Sequence, residues 1–298
     1  MKIDVDPFRI AEGEKAHLAK RPTEVEPFYG SKGDYADILS DHVKRLSKLQ
    51  EHLHRSGRYA LLIVLQGMDT AGKDGAISHV MSGVNPQGCR VVSFKAPSAI
   101  ERAHDFLWRE TIALPERGEI GVFNRSYYEP VLVTRVHPEL LREEGIADVE
   151  GDLKDLWAER LHSIRAFERH LHANGTRFVK IFLHLSKKEQ LRRLLARLDD
   201  PDKTWKASRA DAEERQRWDD YAHAYERALT ATSVDQAPWH VVPADDKPNA
   251  RLIVSQLVIN ALEALKLTPP PIDAARRREL DEIRAMLSGS SSAATKSD

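Results

Sequence analysis

Apolar residues follow two alternating rhythms along this chain. From Tyr35 to about His54, Ile38, Leu39, Val43, Leu46, Leu49 and Leu53 recur at steps of three and four, which predicts an amphipathic helix packed on the domain C-terminal to it. Five short aliphatic or β-branched runs come next: ALLIVLQ (60–66), RVVSFK (90–95), EIGVFN (119–124), RFVKIFLHL (177–185) and WHVVP (239–243). Helical stretches separate them. The alternation predicts an α/β fold with a parallel sheet covered on both faces and ligands gathered at the strand ends. Between the fourth and fifth runs a helical insertion extends from about Lys187 to Thr232, broken near Asp199-Asp200-Pro201-Asp202 because Pro cannot continue a helix. That shape suits a lid, with Leu191, Leu194, Leu195 and Leu198 expected on its buried face. Trp218, Tyr221, Ala222, Tyr225 and Leu229 fall at helical spacing and are expected in the core.

The pattern also sets provisional boundaries. Residues 1–34, rich in Pro, Gly and charge, read as an arm that wraps the domain or frays. Residues 35–267 form the main domain, closed after Asn249 by a helix carrying Leu252, Val254, Leu257, Val258, Ala261, Leu262 and Leu265. Three prolines at 269–271 end that helix. Residues 268–298 hold one more charged helix, at 273–287, and a tail, SGSSSAATKSD, expected to lack order.

Composition narrows the partners. The 298 residues, 41% hydrophobic, suffice for a sizeable core. With 45 basic and 46 acidic residues the net charge is −1, so no global field draws the chain to nucleic acid or an anionic membrane, and any polyanion must meet a local basic patch. The single Cys89 excludes an internal disulfide framework, and MKIDVDPFRI lacks the features of a secretory leader, so a reducing cytoplasm is expected. The longest apolar stretch, Ala60 to Leu65, is too short to span a bilayer.

The first strand runs into Gly67-Met68-Asp69-Thr70-Ala71-Gly72-Lys73-Asp74-Gly75 and then a helix, the layout of a phosphate-binding P-loop. Glycines let backbone N–H groups crowd around phosphate oxygens, the helix presents its positive end, and Lys73 adds a mobile cation. The Ser or Thr that usually comes after this Lys is Asp74 here, and Asp69 adds a second carboxylate. Carboxylates beside phosphates imply an intervening cation, so Asp69, with or without Asp74, is expected to hold magnesium or to orient an attacking phosphate. At the end of the third strand, Asn124 stands where a metal-binding acid is common, and Arg125 either clamps a phosphate or pairs with a carboxylate. In the insertion, Lys187, Lys188, Arg192, Arg193, Arg197, Lys203, Lys206 and Arg209 outnumber Glu189, Asp199, Asp200 and Asp202. Such a run is a solvated face by itself; opposite a phosphate loop it becomes a second polyanion site. His79, His104 and His137 read as ordinary helix or loop histidines.

Taken together, GMDTAGKDG, VNPQG, SFKAPS, DFLWR, FNRSYYEPVLVTRVH, RLDDPDKTWKAS, RWDDYAHAYERAL and APWHVVPADDK resemble the polyphosphate kinase 2 family, from about Tyr35 to Leu267. The resemblance implies a P-loop kinase three-layer sandwich related to thymidylate kinase, with a five-stranded parallel sheet and a helical lid. It further implies dependence on Mg2+, or Mn2+ in its place, transfer of a terminal phosphate from inorganic polyphosphate to a nucleoside mono- or diphosphate, and assembly as a homodimer or homotetramer. Carried over by position, Asp69, Lys73 and Arg125 are the catalytic set. Gly67, Met68, Thr70, Ala71, Gly72, Asp74, Gly75, Asn124 and Glu129 contact the nucleotide or its phosphates, and Arg193, Arg197, Lys203, Lys206 and Arg209 form the polyphosphate-binding lid. The segment Asn124-Arg-Ser-Tyr-Tyr-Glu129 is similar to the branch that accepts both monophosphates and diphosphates. An ATP-dependent nucleoside monophosphate kinase and a non-catalytic phosphate-sensing module share the loop and are the rival readings.

Overall fold

The computed structural model describes residues 1–146, 153–202, 204–206, 208–267 and 273–293. All five predicted strands form: β1 (Ala60–Gly67), β2 (Cys89–Ser93), β3 (Ile120–Asn124), β4 (Thr176–His184) and β5 (Trp239–Pro243). They make one sheet in the order β2-β3-β1-β4-β5, with every pair parallel. The helices are α1 (Lys32–Ser56), α2 (Lys73–Val80), α3 (Ala99–Arg102), α4 (Trp108–Thr111), α5 (Glu129–Val136), α6 (Lys154–Ala173), α7 (Lys187–Leu198), α8 (Arg209–Gln216), α9 (Trp218–Thr232), α10 (Lys247–Ala264) and α11 (Ala274–Ala293). None is long and apolar enough to cross a membrane among the described residues.

Strand β1 explains the layering. It is buried along its whole length and its side chains alternate: Leu61, Ile63 and Leu65 join a core with α1, α2 and α10, whereas Leu62 and Val64 join a second core with α5, α6 and α9. The result is an α/β sandwich of three layers. Because β1 is central, its C-terminal end and the neighbouring end of β3 open at the strand order's switch point, where α/β sheets place ligands.

The N-terminal segment is packed. Ile3, Val5, Phe8, Ile10, Ala16 and Leu18 are buried, and Ile10 N–H donates to Trp239 O at 2.9 Å. Arg9 makes an antiparallel bridge with His240, so the arm covers the free edge of β5. The chain divides into two compact units, Met1–Leu267 and Thr268–Asp298. In the second unit the helix runs on through residues 288–293, where the sequence suggested loss of order. The Ser288 hydroxyl turns back to donate to Arg284 O at 2.7 Å, a local bond that fits a continuing helix. The prolines at 269–271 and residues 294–298 lie outside the described residues.

Candidate active site

The glycine loop joins β1 to α2 as the sequence predicts. A Cβ on Gly67 would sit 2.9 Å from Leu183 O, so only glycine lets the end of β1 pass so close to β4. Gly72, at φ +105°, caps α2. Thr70, at φ +64°, is a left-handed non-glycine residue of the sort found at ligand clamps, and its buried hydroxyl oxygen has no partner. Lys73 folds back over the loop and donates to Gly67 O at 2.6 Å and Met68 O at 3.3 Å. Burial pulls its pKa below the usual lysine range, and Asp69, Glu129 and Asp74 work against that pull.

The end of β3 meets this loop. Asn124 Nδ2 donates to Asp74 Oδ1 at 2.7 Å and to Ser93 Oγ at 3.3 Å, and the buried Asn124 Oδ1 is left without a partner. Arg125 also adopts φ +64°, and its N–H is tied to Leu65 O at 3.1 Å. Its guanidinium reaches Asp69 Oδ1 at 3.2 Å and Glu129 Oε2 at 3.3 Å. Glu129 first, and Asp69 after it, push the Arg125 pKa up against the cost of burial. The pairing is therefore with carboxylates of the site itself and not with a core acid. Behind it, Tyr127 and Tyr128 hydroxyls donate to Glu168 Oε1, whose other oxygen receives the fully buried Lys180 ammonium at 2.7 Å.

The insertion lies directly on the loop, with two expectations overturned. Arg193 is 6% exposed and turned inward: Nη1 donates to Thr70 O and Ala71 O, Nη2 to Ala244 O and Asp245 O, and Nε to Glu189. All five N–H donors are committed to the protein, so Arg193 braces the phosphate loop and offers nothing to a polyanion. Three of the four leucines predicted on the buried face turn outward with it: Leu191, Leu195 and Leu198 are 44%, 51% and 58% exposed, and Leu194 is half-buried. Loop carbonyls without sheet partners need donors, which Arg193 and Gln190 supply and leucines cannot; Gln190 Nε2 donates to Asp69 O at 3.3 Å. Arg197 pairs with Asp211 at 3.0 Å, and Arg209 pairs with Glu213 while 92% exposed. Lys206 ends a 3-10 turn, Thr204–Lys206, and Lys203 lies outside the described residues.

Between loop and insertion lies a cavity. Gly67, Met68, Asp69, Arg125, Glu129, Leu132 and Val133 form one side, and Gln190, Glu214, Arg215, Trp218, Tyr221 and Tyr225 form the other. Arg215 donates to Gln190 Oε1 at 2.6 Å and to Lys187 O at 2.9 Å, stitching α8 to α7.

Residues 29–269 match the family model described as "Polyphosphate kinase 2 (PPK2)". The chain belongs to the polyphosphate kinase 2 family. It is 58% identical over 287 residues to an "ADP-polyphosphate phosphotransferase" of Rhodopseudomonas palustris, covering 96% of this chain and 99% of that one. It is 42% identical to an "AMP/ADP-polyphosphate phosphotransferase" of Meiothermus ruber, covering 86% and 92% of the two chains. The crystal structure of polyphosphate kinase 2 from Arthrobacter aurescens superposes with a TM-score of 0.82 at 43% identity, over 94% of this chain and 98% of that one.

In this polyphosphate kinase 2 chain the loop glycines, Asp69, Lys73, Asp74, Asn124, Arg125 and Glu129 come together, as the sequence suggested. Gly75 lies in the first turn of α2, where a Cβ would approach Arg251 to 3.3 Å. Gln190, Glu214 and Arg215 are cavity residues that sequence reasoning missed, and Trp218, Tyr221 and Tyr225 line the cavity as well as packing in the core. Three aromatics on one face of a helix beside a phosphate loop were the available signal. Among the described residues no three His, Cys, Asp or Glu side chains cluster as a metal cage. The orphaned Asn124 Oδ1 beside Asp74, with Asp69 across the loop, is an all-oxygen donor set. Such a sparse, hard set fits magnesium, which keeps several waters and binds substrate phosphates.

Proposed function

We propose that this chain transfers the terminal phosphate of inorganic polyphosphate to a nucleoside diphosphate, ADP, and that it also accepts AMP. The observation that carries the reading is the Asp69–Arg125–Glu129 chain of charges joining the phosphate loop to the wall of a cavity whose other wall is aromatic. The acceptor nucleotide lies in that cavity. Trp218 and Tyr221 flank its base, and its terminal phosphate faces Lys73 and Arg125. Arg197, Lys203, Lys206 and Arg209 guide the donor chain.

An oxygen of the acceptor's terminal phosphate attacks the end phosphorus of polyphosphate. The P–O bond to the penultimate phosphate breaks, and the shortened chain leaves with that electron pair. Positioning and charge neutralisation suffice, with no covalent intermediate on the enzyme. Lys73 and Arg125 offset charge on the equatorial oxygens, and Arg193 keeps the loop carbonyls turned away from them. Asp69, Asp74 and Asn124 would hold magnesium, which when bound neutralises phosphate charge.

Both phosphotransferases carry ADP in their names, and only the 42% identical one adds AMP. AMP use by this chain rests on Asn124 and on Glu129, which sits 3.3 Å from Arg125 where an acceptor phosphate would compete for the guanidinium. The deciding experiment supplies purified protein with magnesium, long-chain polyphosphate, and AMP, ADP, GMP or GDP in turn, and measures nucleotide products. ATP from ADP is expected, with ADP from AMP alongside it. No product with any metal overturns the reading, and turnover only with ATP as donor makes the chain an ATP-dependent nucleotide kinase. Assembly as a homodimer or homotetramer is part of the same proposal, and light scattering checks it.

A further inference from the structure

His137 comes directly after α5, where the floor of the cavity meets the lid. Its two ring nitrogens face carboxylates from different elements. Nδ1 lies 3.1 Å from Glu139 Oε1, in the 3-10 turn Pro138–Glu144, and Nε2 lies 2.9 Å from Oε1 and 3.1 Å from Oε2 of Glu214, in α8. Glu214 lines the cavity, and burial together with the Glu214 carboxylate pushes the Tyr221 hydroxyl of α9 above the usual tyrosine range. Arg217, at the junction of α8 and α9, acts electrostatically on Glu139. The His137 side chain is 18% exposed, so these contacts are partly withdrawn from water.

A neutral imidazole carries one N–H, and an ionised carboxylate only accepts. Both contacts are hydrogen bonds only if both ring nitrogens are protonated. A neutral ring would instead turn a lone pair toward one of the two carboxylates.

We propose that His137 is a positioning residue that works as an imidazolium, donating to Glu139 and Glu214 and so holding α8 and the Glu214 wall of the cavity in place for the acceptor nucleotide. The inference rests on reading the cavity as the nucleotide site. The coupling is reciprocal: the latched arrangement binds nucleotide better, so losing either contact weakens nucleotide binding. The donor chain meets Arg209 at the exposed start of α8, where it is tied to Glu213 within the helix, so polyphosphate binding is less affected.

The test measures kcat and both KM values. The wild-type enzyme is compared with His137→Gln, which can donate to one carboxylate but not to both. The expected result is a variant KM for ADP about tenfold above that of the wild type, the scale of one charge-assisted hydrogen bond. In the variant, kcat and the KM for polyphosphate stay within about twofold of wild type, well below that scale. An ADP KM within about twofold of wild type overturns the proposal, as does a folded variant in which kcat falls and both KM values rise together. Nitrogen NMR of the wild-type ring keeps the proposal testable should the variant not fold: a proton on each ring nitrogen under the assay conditions is expected, and a single proton overturns it. That measurement needs no substrate, so its failure is distinguishable from failure of the polyphosphate reaction.

Discussion

The phosphate loop and the lid both carry dense charge, yet they settle it in opposite ways. Around the loop, charges from distant parts of the chain converge: Asp69 of the loop, Arg125 after β3 and Glu129 of α5 form one connected line, with Lys73 tucked beneath. In the lid, much of the charge is settled within the insertion, Arg197 by Asp211, Arg209 by Glu213 and Arg192 by Glu189. Arg193 is the exception and belongs functionally to the loop, since four backbone carbonyls of residues 70–71 and 244–245 depend on it. A cation's place in a basic run does not say whether it meets ligand, solvent or the protein's own backbone. The surrounding carbonyls decide.

The sharpest separation between the two regions should come from Lys73→Ala. The ammonium caps the loop carbonyls and, in the proposed reaction, faces the transferred phosphate, so its removal is expected to lower kcat/KM about 10³-fold while the unfolding midpoint stays close to that of wild type. Steady-state kinetics beside a denaturant curve gives both numbers. Near-wild-type turnover would end the claim that the loop is the chemical half of the molecule.

Next in size is a contrast within α7. Arg193→Met leaves the loop carbonyls and Glu189 without their donors in a buried setting, and a loss of about 3 kcal/mol in stability is expected together with loss of activity. Arg197→Ala, one turn on, disrupts a partly exposed pair with Asp211. It should cost under about 1 kcal/mol, with the KM for polyphosphate rising and that for nucleotide little changed. Similar stability losses in the two variants would erase the distinction between a brace and a ligand-facing cation.

This contrast also marks what the sequence could and could not disclose. The strands were legible because a doubly covered parallel sheet demands unbroken apolar runs, and β1 has one. The loop was legible because Gly67 and Gly72 answer local steric demands that hold in any such turn. Gln190, Glu214 and Arg215 were not legible, because their importance comes from where α7 and α8 are laid over the loop, a tertiary fact with no local signature. The orientation of α7 was misread for the same reason. Leucines at helical spacing normally mark the buried face, but here the loop's bare carbonyls outrank them in fixing which face turns inward.

The smallest expected effect bears on that reversal most directly. Leu195 is half exposed on the outer face of α7, and Leu195→Gln retains helix propensity, so packing is nearly all that changes. A substitution at such a surface position should alter stability by less than about 0.5 kcal/mol, whereas truncating a buried leucine costs about 2–5 kcal/mol. Denaturant midpoints resolve the two, provided the slope of the unfolding transition is unchanged, which shows that the unfolded state has not shifted. A large loss would mean that the outward leucines pack in solution against something that covers them. The inward role of Arg193 would then be only half the reason α7 sits as it does.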